Sequence, residues 1–155
     1  MTLSVTIQNL LASKNSHDGY LKKSFAEECP LNILIAEDNI VNQKLIERIL
    51  RKLGYETDTA SDGIQVLNSI AKKEYTVILM DIRMPEMDGL ETTRAIRQMA
   101  IVQPYIIAMT ANAMSNDRLE CLENGMNAYM SKPLSTDEII DSLKKGYAHM
   151  CAKNT

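Results

Sequence analysis

Acids stand hard against apolar runs in two short stretches. "AEDN" (36–39) places Glu37 and Asp38 after "NILIA", and "ILMDIRMPEMDGL" (78–90) places Asp81, Glu86 and Asp88 in and after "TVILM". Thr110 follows "YIIAM", and Lys132-Pro133 comes two residues after "NAYM". Forced together, Glu37, Asp38 and Asp81 repel one another and titrate high unless a cation sits among them. Hard oxygen ligands with no His or Cys nearby suit Mg²⁺, which takes octahedral oxygen geometry and keeps several waters. Thr110 adds a neutral donor and Lys132 a mobile positive charge. A metal, an ammonium, a hydroxyl and a carboxylate able to attack phosphorus together meet the needs of a phosphoryl group.

These residues meet only if the chain's elements bring them to one place. From Asn32 onward, short apolar runs alternate with helical patterns, without internal repeat or low-complexity segment. "NILIA" (32–36), "TVILM" (76–80) and "YIIAM" (105–109) are continuously apolar, as strands buried on both faces are. "YETDTA" (55–60) alternates Tyr55, Thr57 and Thr59 with Glu56 and Asp58 and suits an edge strand; "NAYM" (127–130) suits the opposite edge. Helical patterns fill the intervals. Val41, Leu45, Ile49 and Leu53 with Ile46 and Leu50 form a stripe in 39–53, and Ile64, Leu67, Ile70 and Ala71 form another behind Asp62, which with Gln65 resembles a capping box. Shorter helices fit 89–98 and 113–124, the second closed by Asn124-Gly125. Ser135 and Glu138 open a last helix that buries Ile139, Ile140, Leu143 and Tyr147.

Five βα units in strict alternation predict an α/β fold, a doubly wound five-stranded parallel sheet with helices on both faces. Ligands of such sheets bind outside the carboxyl ends of the strands where the winding reverses, so Glu37, Asp38, Asp81, Thr110 and Lys132 should converge in one crevice. Glu86 and Asp88 fall farther along the loop, where Asp88-Gly89 makes a turn into a helix, and they are read as loop geometry and solvent contact.

Composition narrows the function classes. With 155 residues, 45% hydrophobic, the chain suits one domain with tails. Its 17 basic and 20 acidic side chains leave a net charge of −3 with no long like-charged block, which gives no electrostatic support for a nucleic-acid or membrane surface. Cys29, Cys121 and Cys151 form no CxxC pair, against both a disulfide framework and a zinc site, and a reducing cytoplasmic setting is expected. No basic leader and no run near ~20 apolar residues is present, so neither export nor membrane insertion is expected. Residues 1–30 read as a linker or tail, part-helical through Leu3, Ile7, Leu10 and Leu11, with His17 an incidental surface histidine. The domain is placed at 31–149 and a C-terminal tail at 150–155. Met80, Met109 and Met130 lie in strand runs and are read as core.

Four motifs in order, "AEDN", "MDIRMPEMDG", "MTANAM" and "YMSKPL", resemble the receiver domain of two-component signalling, over about residues 31–148. The wording "EDNIVNQKL" resembles receivers attached to hybrid histidine kinases. The resemblance implies strand order 2-1-3-4-5 and makes Asp81 the phosphoacceptor, attacking a phosphohistidine on a histidine kinase or histidine phosphotransfer protein. It implies that Asp38 and Asp81 hold Mg²⁺ directly, with Glu37 acting through water and the Arg83 carbonyl as a further ligand. Thr110 and Lys132 would bind phosphoryl oxygens, and Tyr129 matches the aromatic that swings inward as Thr110 is drawn to the phosphate. Pro133 takes a position the family keeps cis, Ala111 leaves room beside the phosphoryl group, and Arg83 and Asn112 flank the acyl phosphate and tune its lifetime.

The implied function is a phosphorylation switch read out on the fourth helix, fifth strand and fifth helix of the βα series. Only "CAKNT" follows the last helix, so protein contact or onward phosphorelay is the expected output, and the chain is expected not to be an enzyme beyond slow autodephosphorylation. Three rivals remain. A haloacid-dehalogenase-like Mg²⁺ phosphohydrolase needs an acid two residues after its nucleophile, where this chain has Arg83. A flavodoxin-like nucleotide binder needs a Gly- or hydroxyl-rich loop where "AEDN" stands. An unphosphorylated docking module would have no use for the complete set.

Overall fold

The computed structural model describes residues 24–111 and 115–153. Readings made on residues 1–23 and on Asn112 lie outside them. The elements run α1 (Phe25–Glu28), β1 (Ile33–Ala36), α2 (Ile40–Lys52), β2 (Asp58–Ala60), α3 (Gly63–Lys72), β3 (Val77–Asp81), α4 (Gly89–Arg97), β4 (Tyr105–Thr110), α5 (Ser115–Glu123), β5 (Ala128–Ser131) and α6 (Thr136–Lys153). The five strands form one parallel sheet in the order β2-β1-β3-β4-β5. The chain leaves β1 toward β2 and then crosses back to β3, so the winding reverses between β1 and β3.

Period-two alternation divides each central strand between two helical layers. Ile33, Ile35, Val77, Leu79, Ile107 and Met109 face Ile46 and Leu50 of α2 and Ile139 and Leu143 of α6. Leu34, Ala36, Ile78, Met80, Ile106 and Ala108 face Val66 and Ile70 of α3, Ile96 of α4 and Cys121 of α5. Both faces being covered explains why these strands lack polar alternation. Each fully buried Ile or Leu contributes about 2 kcal/mol, so the central strands are the stable frame on which the strand ends are set. Met80, Met109 and Met130 are buried within it.

Four elements differ from the sequence reading. The last helix, α6, buries Ile139, Ser142, Leu143 and Gly146, with Ile140 and Tyr147 only half-buried, because Gly146 lets the helix close on Tyr105 and Val77 of the sheet. On α2 the buried face is Gln43, Ile46 and Leu50, while Val41 and Leu45 are 70% and 48% exposed. The helix turns Gln43 inward because its amide donates to the Glu37 carbonyl at 2.6 Å and to Ser61 Oγ at 3.2 Å. On α3, Val66 replaces Ile64 and Ala71 on the core face, with both of the latter exposed. β2 is only three residues long, although Tyr55 before it is buried.

The chain before β1 is docked on the domain from Ser24. Ser24 and Glu27 form a reciprocal capping box on α1. Phe25 meets Tyr55 edge-on at 6.1 Å, the Ala26 amide donates to Leu53 O at 2.9 Å, and Tyr55 Oη donates to Cys29 O at 2.6 Å. Gly54 ends α2 at φ 103°, a left-handed conformation that disfavours side chains, and a Cβ there would also lie 2.8 Å from Ser24 Oγ.

Candidate functional site

Strand register aligns the predicted residues in one row. Ala36 pairs with Met80, Asp81 with Met109, and Thr110 with Ser131. Glu37, Asp81, Thr110 and Lys132 therefore sit side by side at the carboxyl ends of β1, β3, β4 and β5. Backbone bonds extend the alignment past the strands, from the Glu37 amide to Ala60 O at 3.0 Å and from the Lys132 amide to Thr110 O at 2.7 Å. The Lys132–Pro133 peptide is cis.

Lys132 joins the two buried acids. Its Nζ lies 2.8 Å from Glu37 Oε1 and 3.1 Å from Asp81 Oδ2. Glu37 is 1% exposed, and its other oxygen accepts from the Asn39 amide at 3.0 Å. Asp81 is 5% exposed, and its Oδ1 accepts from the Arg83 amide at 3.3 Å. Asp38 is exposed, and one carboxylate oxygen from each of Glu37, Asp38 and Asp81 falls within 4.8 Å of the others. Two acids thus form the floor of the crevice and a third opens it to solvent, beside a shallow cleft lined by Asp38, Ile82, Arg83, Met84, Pro85 and Asp88.

The electrostatics are unequal. Burial, then the neighbouring Glu37 charge, pushes the Asp81 carboxyl up to about 6, more than Lys132 offsets. Burial opposes ionisation of Glu37 as well, but the Lys132 and Asn39 hydrogen bonds outweigh it and its pKa falls. Desolvation of Lys132 is likewise overcome by its bonds to both acids, and its pKa rises. One ammonium is too little for three carboxylates, and Asp81 bears the shortfall. An all-oxygen donor set with unbalanced negative charge and an open side fits a hard divalent cation.

The loop after β3 explains the fates of the other two acids. Asp88 caps α4, accepting from the Glu91 amide at 2.8 Å, and Glu86 adopts φ 67° on the surface. The Gly89 amide donates to Ile82 O at 2.8 Å, and a Cβ on Gly89 would stand 2.3 Å from Asp81 O. Gly89 therefore lets the loop fold back against the residue that carries the chemistry. Sequence reasoning placed Gly89 only in a turn and missed Gln43 entirely; the signal for Gln43 was a polar residue between apolar positions of α2. Thr110 is 7% exposed in the row. Tyr129 is half-buried on β5, and its Oη accepts from Arg118 Nη1 at 2.7 Å. Ala111 is exposed.

A doubly wound sheet with a buried aspartate ending its central strand, two acids after β1 and a lysine from beyond β5 defines an α/β fold with an acidic crevice where a nucleotide binder has its phosphate loop. Residues 33–144 match the response regulator receiver domain, and the chain belongs to that family. It is 40% identical over 138 residues to Histidine protein kinase 1 of Candida albicans, which covers 82% of this chain and 6% of that protein. It is 37% identical over 121 residues to the sensor histidine kinase RcsC of Escherichia coli, 78% of this chain and 13% of that one. The chain thus spans a small fraction of these kinases. The receiver domain of sensor histidine kinase PA1611 from Pseudomonas aeruginosa, solved with magnesium coordinated in its active-site cleft, matches at 44% identity and TM-score 0.71, over 76% of this chain and 98% of that one. A chain in the co-crystal structure of the Saccharomyces cerevisiae phosphotransfer protein Ypd1 with the Ssk1 receiver domain matches at 25% identity and TM-score 0.72, over 77% and 90%.

Proposed function

We propose that this chain is a phosphoacceptor switch, taking a phosphoryl group from a phosphohistidine onto Asp81. The observation that carries the reading is Asp81 itself, buried at the end of the central strand with Lys132 at 3.1 Å and Glu37 across the lysine. An Asp81 oxygen attacks phosphorus, the P–N bond to the donor imidazole breaks, and an acyl phosphate forms on Asp81. Lys132 then moves from its two acids to a phosphoryl oxygen, and Thr110 offers its hydroxyl to another. Glu37, Asp38, Asp81 and the Arg83 carbonyl are the groups that would hold Mg²⁺, which when bound would neutralise the phosphoryl and carboxylate oxygens. Arg83 stands two residues after Asp81 where a hydrolase needs an acid, so the chain serves as acceptor and not as a phosphatase of exogenous esters.

The donor is a histidine kinase or a histidine phosphotransfer protein, in keeping with the kinases this chain resembles, and the exchange belongs to the cytoplasm. Among the described residues no helix is long and apolar enough to cross a membrane. Ile40 and Val41, 59% and 70% exposed just beyond Asp38, and the groove of Leu45, Ile49, Pro133 and Leu134 beside Lys132 supply apolar surface around the acids for a protein donor. The response runs to the face of α5, β5 and α6. Incubation with Mg²⁺ and acetyl phosphate should add one phosphoryl mass to the wild type and none to Asp81→Asn, and beryllofluoride should shift backbone resonances in the wild type alone. No adduct and no shift in the wild type overturns the reading.

A further inference from the structure

Gln43 is a polar side chain, 5% exposed, on the buried face of α2 with Ile46 and Leu50. A buried amide is costly unless it is bonded, and Gln43 Nε2 donates twice, to Glu37 O at 2.6 Å and to Ser61 Oγ at 3.2 Å. The first acceptor lies between two acids of the crevice, because the Glu37 carbonyl and the Asp38 amide belong to one planar peptide unit. Glu37 has other holds. Its amide donates to Ala60 O at 3.0 Å, and its carboxylate accepts from the Asn39 amide at 3.0 Å and from Lys132 Nζ at 2.8 Å. Asp38 is exposed, and among the described residues no hydrogen bond or ion pair holds its carboxylate. The direction in which Asp38 leaves the loop is therefore set by its backbone, and the plane of that backbone is set by Gln43.

We propose that Gln43 is a positioning residue for the cation site: by bonding Glu37 O it fixes the peptide plane from which Asp38 joins Glu37 and Asp81. The proposal rests on the reading of these three acids as the groups that would hold Mg²⁺, and it names a residue outside them on which that reading depends. A neutral NH₂ group suits the task, since it restrains the loop without altering the charge of the crevice. Gln43 is itself anchored on two sides. Its backbone amide donates to Asn39 O at 2.9 Å in the first turn of α2, and its second side-chain acceptor, Ser61, is held through its own amide by Gln65 Oε1 at 2.8 Å, where Asp62 caps α3. The Glu37 carbonyl is thus braced from α2 and from the start of α3 rather than by the loop alone. Ligands held in place before a cation arrives need less ordering when it binds, so losing the brace weakens binding.

Gln43→Met keeps the length and volume of the side chain and removes the donor, which separates the bond from the packing. Backbone NMR of the Asp81 and Arg83 amides during Mg²⁺ titration should give a dissociation constant raised about tenfold over the wild type. Phosphoryl uptake from acetyl phosphate, followed by intact mass, should slow at low Mg²⁺ and return to the wild-type rate at saturating Mg²⁺, the split expected of a residue that acts only through the cation's ligands. Gln43→Asn, whose amide is one methylene short of Glu37 O, should behave in the same way and keeps the test open if Gln43→Met does not fold. Ile46→Val, on the same face of the same helix, should lower the melting temperature and leave the dissociation constant unchanged. Ser61→Ala removes only the other acceptor and should raise the constant less than Gln43→Met does. A wild-type constant in the Gln43 variants overturns the proposal, as does an equal loss in Ile46→Val or in Ser61→Ala. No Mg²⁺-dependent shift in the wild type removes the cation reading beneath it, and this inference with it, whereas wild-type binding that Gln43→Met and Gln43→Asn share removes the inference alone.

Discussion

Buried beside Glu37 and only partly compensated by Lys132, the Asp81 carboxyl titrates near 6. A folded pKa raised above the unfolded value means that the protonated form is favoured in the folded protein. The associated stability is fully present below the unfolded pKa of 3.8 and is lost as pH rises through about 6. Asp81→Asn removes the charge, so without divalent cation it should be more stable than the wild type at pH 8 by about 2–3 kcal/mol, the difference closing below pH 4. Urea unfolding at the two pH values in the presence of a chelator measures this, and equal stabilities at pH 8 would mean that the crevice imposes no cost on Asp81. Lys132→Ala removes the groups that lower the Asp81 pKa, so the side-chain carboxyl carbon of Asp81 should titrate higher than in the wild type by NMR. An unchanged titration would separate Lys132 electrically from Asp81. The candidate residues were legible in the chain because each stands within two residues of the end of a strand run, but the Lys132–Glu37 bond was not. Ninety-five positions separate that pair, and only the sheet order brings them together.

At the scale of elements, the strands and helix caps were readable wherever a local rule governs them. Asp62 and Asp88 cap α3 and α4 through the Gln65 and Glu91 amides, as short polar side chains at helix starts do. Which face a helix buries was less readable, because α2 carries more apolar residues than the sheet can cover. Its orientation follows from the Gln43 bonds to Glu37 O and Ser61 Oγ. The β3–α4 loop depends on Gly89 in the same way, through close backbone approach rather than side-chain chemistry. Gly89→Ala should destabilise the protein by about 1–3 kcal/mol, since the obstructing atom is the Asp81 carbonyl oxygen and not a flexible side chain. A melting temperature equal to the wild type's would show that this loop yields. Glu86→Gly, by contrast, relieves a left-handed backbone and should raise stability by about 0.5–1 kcal/mol in the same assay.

Across the whole molecule, the docked turn α1 ties the chain before β1 to the core through Tyr55. The Tyr55 hydroxyl is held at Cys29 O, and its pKa is driven up, chiefly by burial. Tyr55→Phe should cost about 1 kcal/mol and speed hydrogen exchange at the Ala26 amide, whose partner is Leu53 O. Exchange at Ala26 as slow as in the wild type would mean that Phe25 packing alone holds the turn. Residues 24–30 read with the rest of 1–30 as a linker or tail because that segment has few long apolar runs. Its docking relies instead on one ring contact, a capping box and two backbone acceptors, none of which has a periodic signature.

Read alone, the sequence determined the alternation of strands and helices, and with it the parallel sheet and the end of that sheet at which Glu37, Asp38, Asp81, Thr110 and Lys132 gather. Those follow from hydrophobic period and chain order, which are local and one-dimensional. Tertiary structure alone decided that Lys132 bridges Glu37 and Asp81, that Asp81 bears the unbalanced charge, that Gln43 rather than Val41 turns inward, and that Arg118 bonds Tyr129. Each of these depends on distances between residues far apart in the chain, and such distances exist only once the strands have taken their places.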